Sequence, residues 1–240
     1  MELVVATKNV NKIKEMRAVF GDVFPPGFQL LDLQGREGFA WPEVVEDRLT
    51  FEGNALKKAT ELARHARCSV LAEDSGLVVD ALDGAPGVFS ARYAGPQRSD
   101  ADNNAHLISA LEELSTDPPY TARYVAVVAL AMFEEDPSGA WLLERLRGRC
   151  PTVQGEPSRG GELGVIAGEQ GERPCHVIWW RGVCEGEVCL EARGEGGFGY
   201  DPHFWVPALG ETMAELSLAQ KGEISHRRRA LSALARSLDP

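Results

Sequence analysis

The sequence has no long apolar run, no paired cysteine motif and no excess of positive charge. Its longest apolar stretch, residues 125–133, has the length of a strand and falls far short of the ~20 residues of a membrane span. The N-terminus lacks the pattern of a secretory signal. The five cysteines are odd in number and form no CxxC pair, which argues against a zinc site or a disulfide framework. We therefore expect reduced thiols in a cytoplasmic protein without a membrane partner.

The formal net charge of -11 would repel a polyanion, so we expect no broad nucleic-acid surface. A local cluster of Lys and Arg can still bind a small phosphorylated ligand. The 240 residues are 44% hydrophobic, which is enough to bury the core of one α/β domain. We expect a single domain over residues 1–240.

Apolar periodicity predicts alternating strands and helices, the pattern of an α/β fold. The chain opens with a strand at 2–6, a polar turn and a helix. A second helix at 50–68 has Thr50 as its N-cap. A strand at 69–72 is expected to end at the acidic residues 73–76. Further elements are expected at 99–114 (helix), 120–133, 176–180 and 183–190 (strands), and 225–238 (helix).

Residues 134–174 differ from the rest in composition. They hold eight glycines and four prolines and little periodic pattern beyond residues 141–146. We interpret them as an insertion on a surface hairpin, a mobile excursion rather than a domain.

The polar turn after the first strand carries the first candidate site. Backbone N–H groups at a helix start attract anions, and neighbouring lysines add positive charge, which suits a triphosphate. A solvated helix start with surface lysines explains the same pattern equally well. The candidate phosphate-binding residues are Thr7, Lys8, Asn9, Val10, Asn11 and Lys12.

Adjacent carboxylates at Glu73 and Asp74, expected at a strand end, form the second candidate site. Ligands of open α/β sheets bind at that end, and two carboxylates there need a cation to balance them. Magnesium prefers a few carboxylates together with phosphate oxygens. An acidic turn formed with Ser75 and Gly76 is the plainer interpretation.

Two segments could bind a base. Within 194–205, glycines permit close approach, Phe198 and Tyr200 could stack on a base, and Asp201 could accept from its N–H groups. A Gly-rich hairpin with buried aromatics is the alternative. Lys221 and the Ser225-His226-Arg227 run place cations at a helix start, where a bound anion would offset an unfavourable dipole. A basic surface helix end is the commoner outcome.

Five ordered segments resemble motifs of the inosine triphosphate pyrophosphatases, also called XTP/dITP diphosphatases. The resemblance runs from residue 2 to about residue 237 apart from 134–174. The matching segments are 6–15, 50–59, 73–93, 196–204 and 214–227. One departure is Gly53, which stands where that family often has a second acidic residue.

The resemblance implies an α/β fold with an elongated mixed β-sheet flanked by helices, in two lobes with the active-site cleft between them. It implies a homodimer that hydrolyses ITP, dITP and XTP to the monophosphate and pyrophosphate with Mg²⁺. Asp74 would be the general base and a metal ligand, with Glu46 assisting the metal. The implied phosphate-binding residues are Thr7 to Lys12, Lys58 and Ser75. The implied base-binding residues are Phe198, Gly199, Tyr200, Asp201, Lys221, His226 and Arg227.

Two alternatives remain open. One is a related pyrophosphatase that acts on other modified or pyrimidine nucleotides. The other is a non-catalytic nucleotide-binding protein, against which the acidic residues around Asp74 argue.

Overall fold

The computed structural model describes residues 1–32, 40–96, 98–168 and 172–239. The chain divides into two compact units, matching in number the two lobes that the resemblance implies. The first unit contains Met1–Asp74, Val127–Gly182 and Arg227–Pro240, and the second contains Ser75–Ala126 and Val183–His226. That these units form one domain stays a prediction. Within the described ranges, no helix has the length and apolar character needed to cross a membrane.

The chain forms a mixed α/β fold in which helices flank a central mixed sheet. The strands are β1 (Glu2–Val5), β2 (Gln29–Asp32), β3 (Val70–Val79), β4 (Tyr120–Met132), β5 (Thr152–Gln154), β6 (Leu163–Ile166), β7 (Cys175–Val188), β8 (Phe204–Val206) and β9 (Glu211–Thr212). The helices are α1 (Val10–Val23), α2 (Phe51–Ala66), α3 (Asp100–Glu112), α4 (Pro137–Leu146), α5 (Leu218–Ile224) and α6 (His226–Leu238).

In the first unit the strand order is β2-β1-β3-β4-β7-β6-β5. β1 pairs in parallel with β2 and β3, whereas β6 runs antiparallel to β7. The side chains of Leu3, Val4 and Val5 are all buried, as expected for a parallel strand covered on both faces. In the second unit β8 pairs antiparallel with the end of β7, and β9 pairs with β8.

Two strand predictions are wrong in their bounds. β3 does not end at the acidic residues but continues through them from Val70 to Val79. The strand can pass beside Ser90 because residue 76 is a glycine. A side chain at this position would overlap Ser90, which packs against the strand. The two strands expected at 176–180 and 183–190 are one strand, β7. Helix α2 was placed within two residues at each end, and Thr50 caps it by accepting from the Gly53 N–H at 3.0 Å.

Residues 134–174 hold more regular structure than their composition predicts, although 169–171 lie outside the described residues. Asp136 caps α4 by accepting from the Gly139 N–H at 3.0 Å, and Leu142 and Leu146 are buried. Strands β5 and β6 belong to the sheet. The prediction of a mobile surface excursion is therefore wrong for α4, β5 and β6. The helix buries apolar side chains, and the two strands pair in the sheet. Their status as an insertion stays a prediction.

The close packing at Gly76 generates a prediction about stability. Gly76→Ala should lower the free energy of unfolding by about 1–3 kcal/mol, because overpacking forces neighbours to move. The new methyl group would lie 2.5 Å from the Gly87 carbonyl oxygen. It would also overlap Ser90 Oγ, which is held by the Leu77 N–H at 2.9 Å.

Urea unfolding measures this change. The matched control is Gly222→Ala in α5, where an added methyl group meets nothing within 4 Å. That variant should gain up to about 1 kcal/mol from helix propensity. Equal stability of the two variants would contradict the packing argument.

Candidate active site

The first predicted site residues form the capped start of α1. Asn9 Oδ1 accepts from the Asn11 N–H at 3.0 Å and the Lys12 N–H at 3.2 Å, and Thr7 Oγ1 accepts from the Asn9 N–H at 3.1 Å. Because Asn9 already occupies these amides, an anion here would depend more on side-chain charge than the sequence predicts. Lys8, Val10 and Asn11 are exposed.

Glu73 and Asp74 lie in the middle of β3, where successive side chains point to opposite faces. Glu73 is fully buried, with its carboxylate 3.1 Å from Arg227 Nε and 3.8 Å from Lys12 Nζ. The Asp74 carboxylate accepts from Asn54 Nδ2 at 3.1 Å. The strand therefore presents two buried carboxylates with different partners.

Lys58 connects this acidic pair to Glu46. Its Nζ lies 2.5 Å from Glu46 Oε1 and donates to the Glu73 carbonyl oxygen at 3.0 Å. The structure thus brings Lys12, Lys58, Glu46 and Asp74 into one charged cluster of the first unit. The role of Lys58 towards phosphate stays a prediction.

The cluster shifts two pKa values. Burial raises the pKa of Asp74 above its ordinary value, and the charge of Glu46 adds to the rise, while Lys58 and Lys12 oppose it. Burial lowers the pKa of Lys12, although Glu73 opposes that change. A carboxylate with a raised pKa is a stronger base, and such shifts cluster at functional sites.

The donor set fits magnesium. Among the residues that the structure describes, no group of three or more His, Cys, Asp or Glu side chains is arranged to hold a metal. The cluster contains the two carboxylates of Asp74 and Glu46, and Mg²⁺ is commonly held by one or two carboxylates together with substrate phosphates. Glu73 is engaged by cations and falls outside this set.

Arg227 lies among carboxylates. Besides its contact with Glu73, its Nη1 donates to Glu15 Oε2 at 2.7 Å, and only 4% of the residue is exposed. These acidic partners offset the cost of a cation at the start of α6 without a bound anion. The arrangement favours a positioning role for Arg227, and its predicted contact with the base stays untested.

In the second unit, Asp201 organises the loop within the predicted base-binding segment at 194–205. Its Oδ2 accepts from Lys221 Nζ at 2.6 Å and from the Phe198 N–H at 3.0 Å. Gly197 adopts a φ of +79°, and a side chain there would collide with both Asp201 and Lys221. The loop is therefore built around a buried ion pair.

Stacking of the Tyr200 ring on a base stays a prediction, and the ring has little exposed surface for it. The ring is buried in the core of the unit, and its hydroxyl donates to the Ser90 carbonyl oxygen at 2.8 Å. Burial also raises the pKa of Tyr200 far above its usual range. Phe198 and Gly199 are half-buried, so this part of the loop keeps exposed surface.

His226 and Ser75 complete the predicted set. His226 is buried, and its ring stacks on Tyr124 with centroids 5.0 Å apart. Ser75 is half-buried on β3. His226 as a reader of the base stays a prediction.

Sequence reasoning assigned no role to three residues at these sites: Asn54, Glu15 and Tyr124. Asn54 carried a usable signal, since it is a polar residue beside the apolar face of α2. Tyr124 carried none, because an aromatic residue within a long apolar strand is typical of a core.

The chain is thus an α/β protein in which each unit carries a buried network of charged side chains. It belongs to the Ham1 family, whose model matches residues 3–157 and 164–237. A dITP/XTP pyrophosphatase of Geobacter sulfurreducens is 43% identical over 232 residues, covering 97% of this chain and 94% of that protein. One from an Exiguobacterium species is 41% identical over 240 residues, covering 100% and 98%.

Solved structures of Ham1 proteins resemble this fold closely. The HAM1 protein from Coxiella burnetii matches with a TM-score of 0.72 and 32% identity, covering 99% of this chain and 98% of that one. The Staphylococcus aureus Ham1 protein matches with a TM-score of 0.68 and 32% identity, covering 98% and 97%.

The buried pairing of Arg227 predicts a large loss on its removal. Arg227→Ala should lower the free energy of unfolding by roughly 3–5 kcal/mol, because it leaves the buried carboxylate of Glu73 without this cation. Arg228→Ala is the control, since Arg228 pairs with a largely exposed Asp22 at 3.4 Å. That change should cost no more than about 1 kcal/mol. Similar small losses in urea unfolding for both variants would contradict this assignment.

The raised pKa of Asp74 predicts a pH-dependent cost. The folded protein holds this proton more tightly than the unfolded chain, so stability is lost as pH rises from the ordinary pKa towards the folded one. Without divalent metal, Asp74→Asn should therefore be more stable than the parent at pH 7. The difference should shrink as the pH falls towards the ordinary pKa of 3.8. Urea unfolding at both pH values measures it, and a less stable variant at neutral pH would count against the shift.

Proposed function

We propose that the protein hydrolyses the non-standard purine nucleotides ITP, dITP and XTP to the monophosphate and pyrophosphate. The observation that carries this proposal is the buried Asp74 with its raised pKa, next to Lys12 and Lys58. Relatives about 40% identical over nearly the whole chain are dITP/XTP pyrophosphatases, which supports the same reaction.

The lysines would hold the triphosphate. Lys12 and Lys58 supply positive charge within the cluster, and Thr7 and Asn9 fix the turn that carries Lys12. Charge that is already positioned costs little reorganisation when negative charge develops in the transition state. The phosphates would therefore be oriented as well as bound.

Asp74 would take a proton from the attacking water. The water oxygen forms a bond to the α-phosphorus, the bond to the bridging oxygen breaks, and pyrophosphate leaves with that electron pair. Asn54 holds the Asp74 carboxylate in orientation through its 3.1 Å hydrogen bond. Most of the acceleration would come from positioning and electrostatics.

Asp74 and Glu46 would hold Mg²⁺. When bound, the ion supplies positive charge that stabilises the phosphate oxygens. The mutual effect of Glu46 and Asp74, in which one charge raises the pKa of the other, would be relieved by such a cation. This supports a divalent-metal requirement and magnesium as the metal.

Residues of the second unit would select the base. A 6-oxo purine offers an acceptor where adenine offers an amine, and donors such as His226 match the oxygen. Phe198, Gly199, Asp201 and Lys221 would border the base, with Tyr200 supporting the loop from the core.

A cytoplasmic homodimer is the setting we propose. The described cysteines are all free thiols, which suits a reducing compartment. The dimer rests on the family resemblance alone.

Pyrophosphate release from ITP, XTP, dITP, ATP, GTP and CTP, with and without magnesium, tests the function. Metal-dependent release that prefers ITP and XTP is expected. Release chiefly from CTP would favour a pyrimidine or modified-nucleotide pyrophosphatase. Binding without release from any nucleotide would favour a non-catalytic nucleotide-binding protein.

Asp74→Asn should abolish turnover while leaving nucleotide binding largely intact, because it removes the proton acceptor and keeps the lysines. Calorimetric binding of ITP and pyrophosphate release measure the two properties. Asp83→Asn is the control, since Asp83 is exposed and its φ of +51° is one that Asn tolerates. Lost binding with unchanged turnover per bound ITP would rule out Asp74 as the base.

A further inference from the structure

Tyr124 contacts both parts of the proposed base-selecting region. It lies on β4 in the second unit and is 8% exposed. One neighbour of its ring is Phe204, with centroids 4.4 Å apart, and another is His226, stacked at 5.0 Å and 19°. The rings fix where the Tyr124 hydroxyl points, because a buried ring between neighbours has little rotational freedom.

That hydroxyl donates to Asp201 Oδ1 at 3.1 Å. The other carboxylate oxygen, Oδ2, accepts from Lys221 and from the Phe198 N–H. Donors on both oxygens hold the carboxylate plane, whose terminal torsion is otherwise broad. Tyr124 therefore helps to set the orientation of Asp201 through the oxygen that Lys221 does not contact.

The rest of the loop is also held. The Gly199 N–H donates to Asp100 Oδ2 at 2.7 Å, and its carbonyl oxygen accepts from Asn104 Nδ2 at 3.0 Å. These contacts leave the backbone of Gly199 fixed when the Tyr124 hydroxyl is removed. A change at Tyr124 would thus act on the Asp201 carboxylate and the Phe198 amide rather than unfold the loop.

We propose that Tyr124 is a positioning residue for base selectivity. Its hydroxyl donates to Asp201 Oδ1, and its ring aligns the ring of His226. Through these two contacts it lowers the activity of the site towards 6-aminopurine nucleotides. The proposal rests on the proposed function and deepens it, because it names a residue outside the predicted site that separates ITP from ATP.

The physical reason is the chemistry of a carboxylate oxygen. An ionised carboxylate only accepts hydrogen bonds, so an unfilled position on Asp201 could accept from the exocyclic amine of adenine. The phenol hydroxyl occupies that position with a fixed protein donor. Sites built from filled and directed polar groups discriminate strongly, because the wrong ligand leaves groups unpaired.

Tyr124→Phe tests this, because it removes the hydroxyl and keeps the ring stack. The ratio of kcat/KM for ITP to that for ATP should fall roughly threefold to tenfold, the effect of one hydrogen bond. Most of the change should lie in KM, because Asp74 and its cluster are untouched.

Tyr120→Phe is the matched control. Tyr120 lies on the same strand, is equally buried, and donates its hydroxyl to the Thr116 carbonyl oxygen at 3.0 Å. Each variant loses one hydrogen bond made by a buried tyrosine, so both should lose some thermal stability. Only Tyr124→Phe should change the selectivity ratio.

A second measurement follows the loop itself. The Phe198 amide bonds to Asp201, so its hydrogen exchange should be faster in Tyr124→Phe than in Tyr120→Phe. An unchanged ratio or unchanged exchange, in a parent protein that turns over ITP, would overturn the role of Tyr124 and leave the proposed function standing. A parent protein that turns over no nucleotide would overturn both.

Discussion

Consecutive carboxylates in the middle of a buried strand constrain the first unit. Burying an ionised carboxylate is costly unless cations and hydrogen-bond donors compensate it. Glu73 is compensated by Arg227 and Lys12, whereas Asp74 has Asn54 as a neutral donor and keeps a raised pKa. The two residues therefore differ in role. Glu73 anchors helices α1 and α6 through Lys12 and Arg227, and Asp74 keeps a raised pKa.

The second unit also buries a carboxylate, that of Asp201, and compensates it with a different set of partners. Asp201 is buried with Lys221 and receives two further donors, from the Phe198 backbone and from Tyr124. A buried carboxylate with donors on both of its oxygens has little freedom to move. Rigidity suits recognition of a flat base, because the polar groups are already oriented before the ligand arrives. Each unit thus contains a buried polar network. The one around Asp74 serves the proposed hydrolysis, and the one around Asp201 serves the proposed selection of the base.

Local patterns predicted much of this molecule. Periodicity and the Thr50 cap placed α2, and the ordered motifs identified the family, which the comparisons confirm. The sequence could not predict that β3 continues through Glu73, because the cation that neutralises it, Arg227, is 154 residues away. The burial of Tyr200 could not be predicted for a similar reason: its hydroxyl donates to the carbonyl oxygen of Ser90, 110 residues earlier. The candidate site residues could be chosen from the sequence, whereas their partners became known only with the fold.

Hydrolysis of ITP in ¹⁸O-labelled water with magnesium tests the central claim most directly. Water should attack the α-phosphorus, so mass spectrometry should find the label in IMP and none in pyrophosphate. Label in orthophosphate, with IDP as the other product, would place the attack at the γ-phosphorus. That result would contradict a pyrophosphatase centred on Asp74.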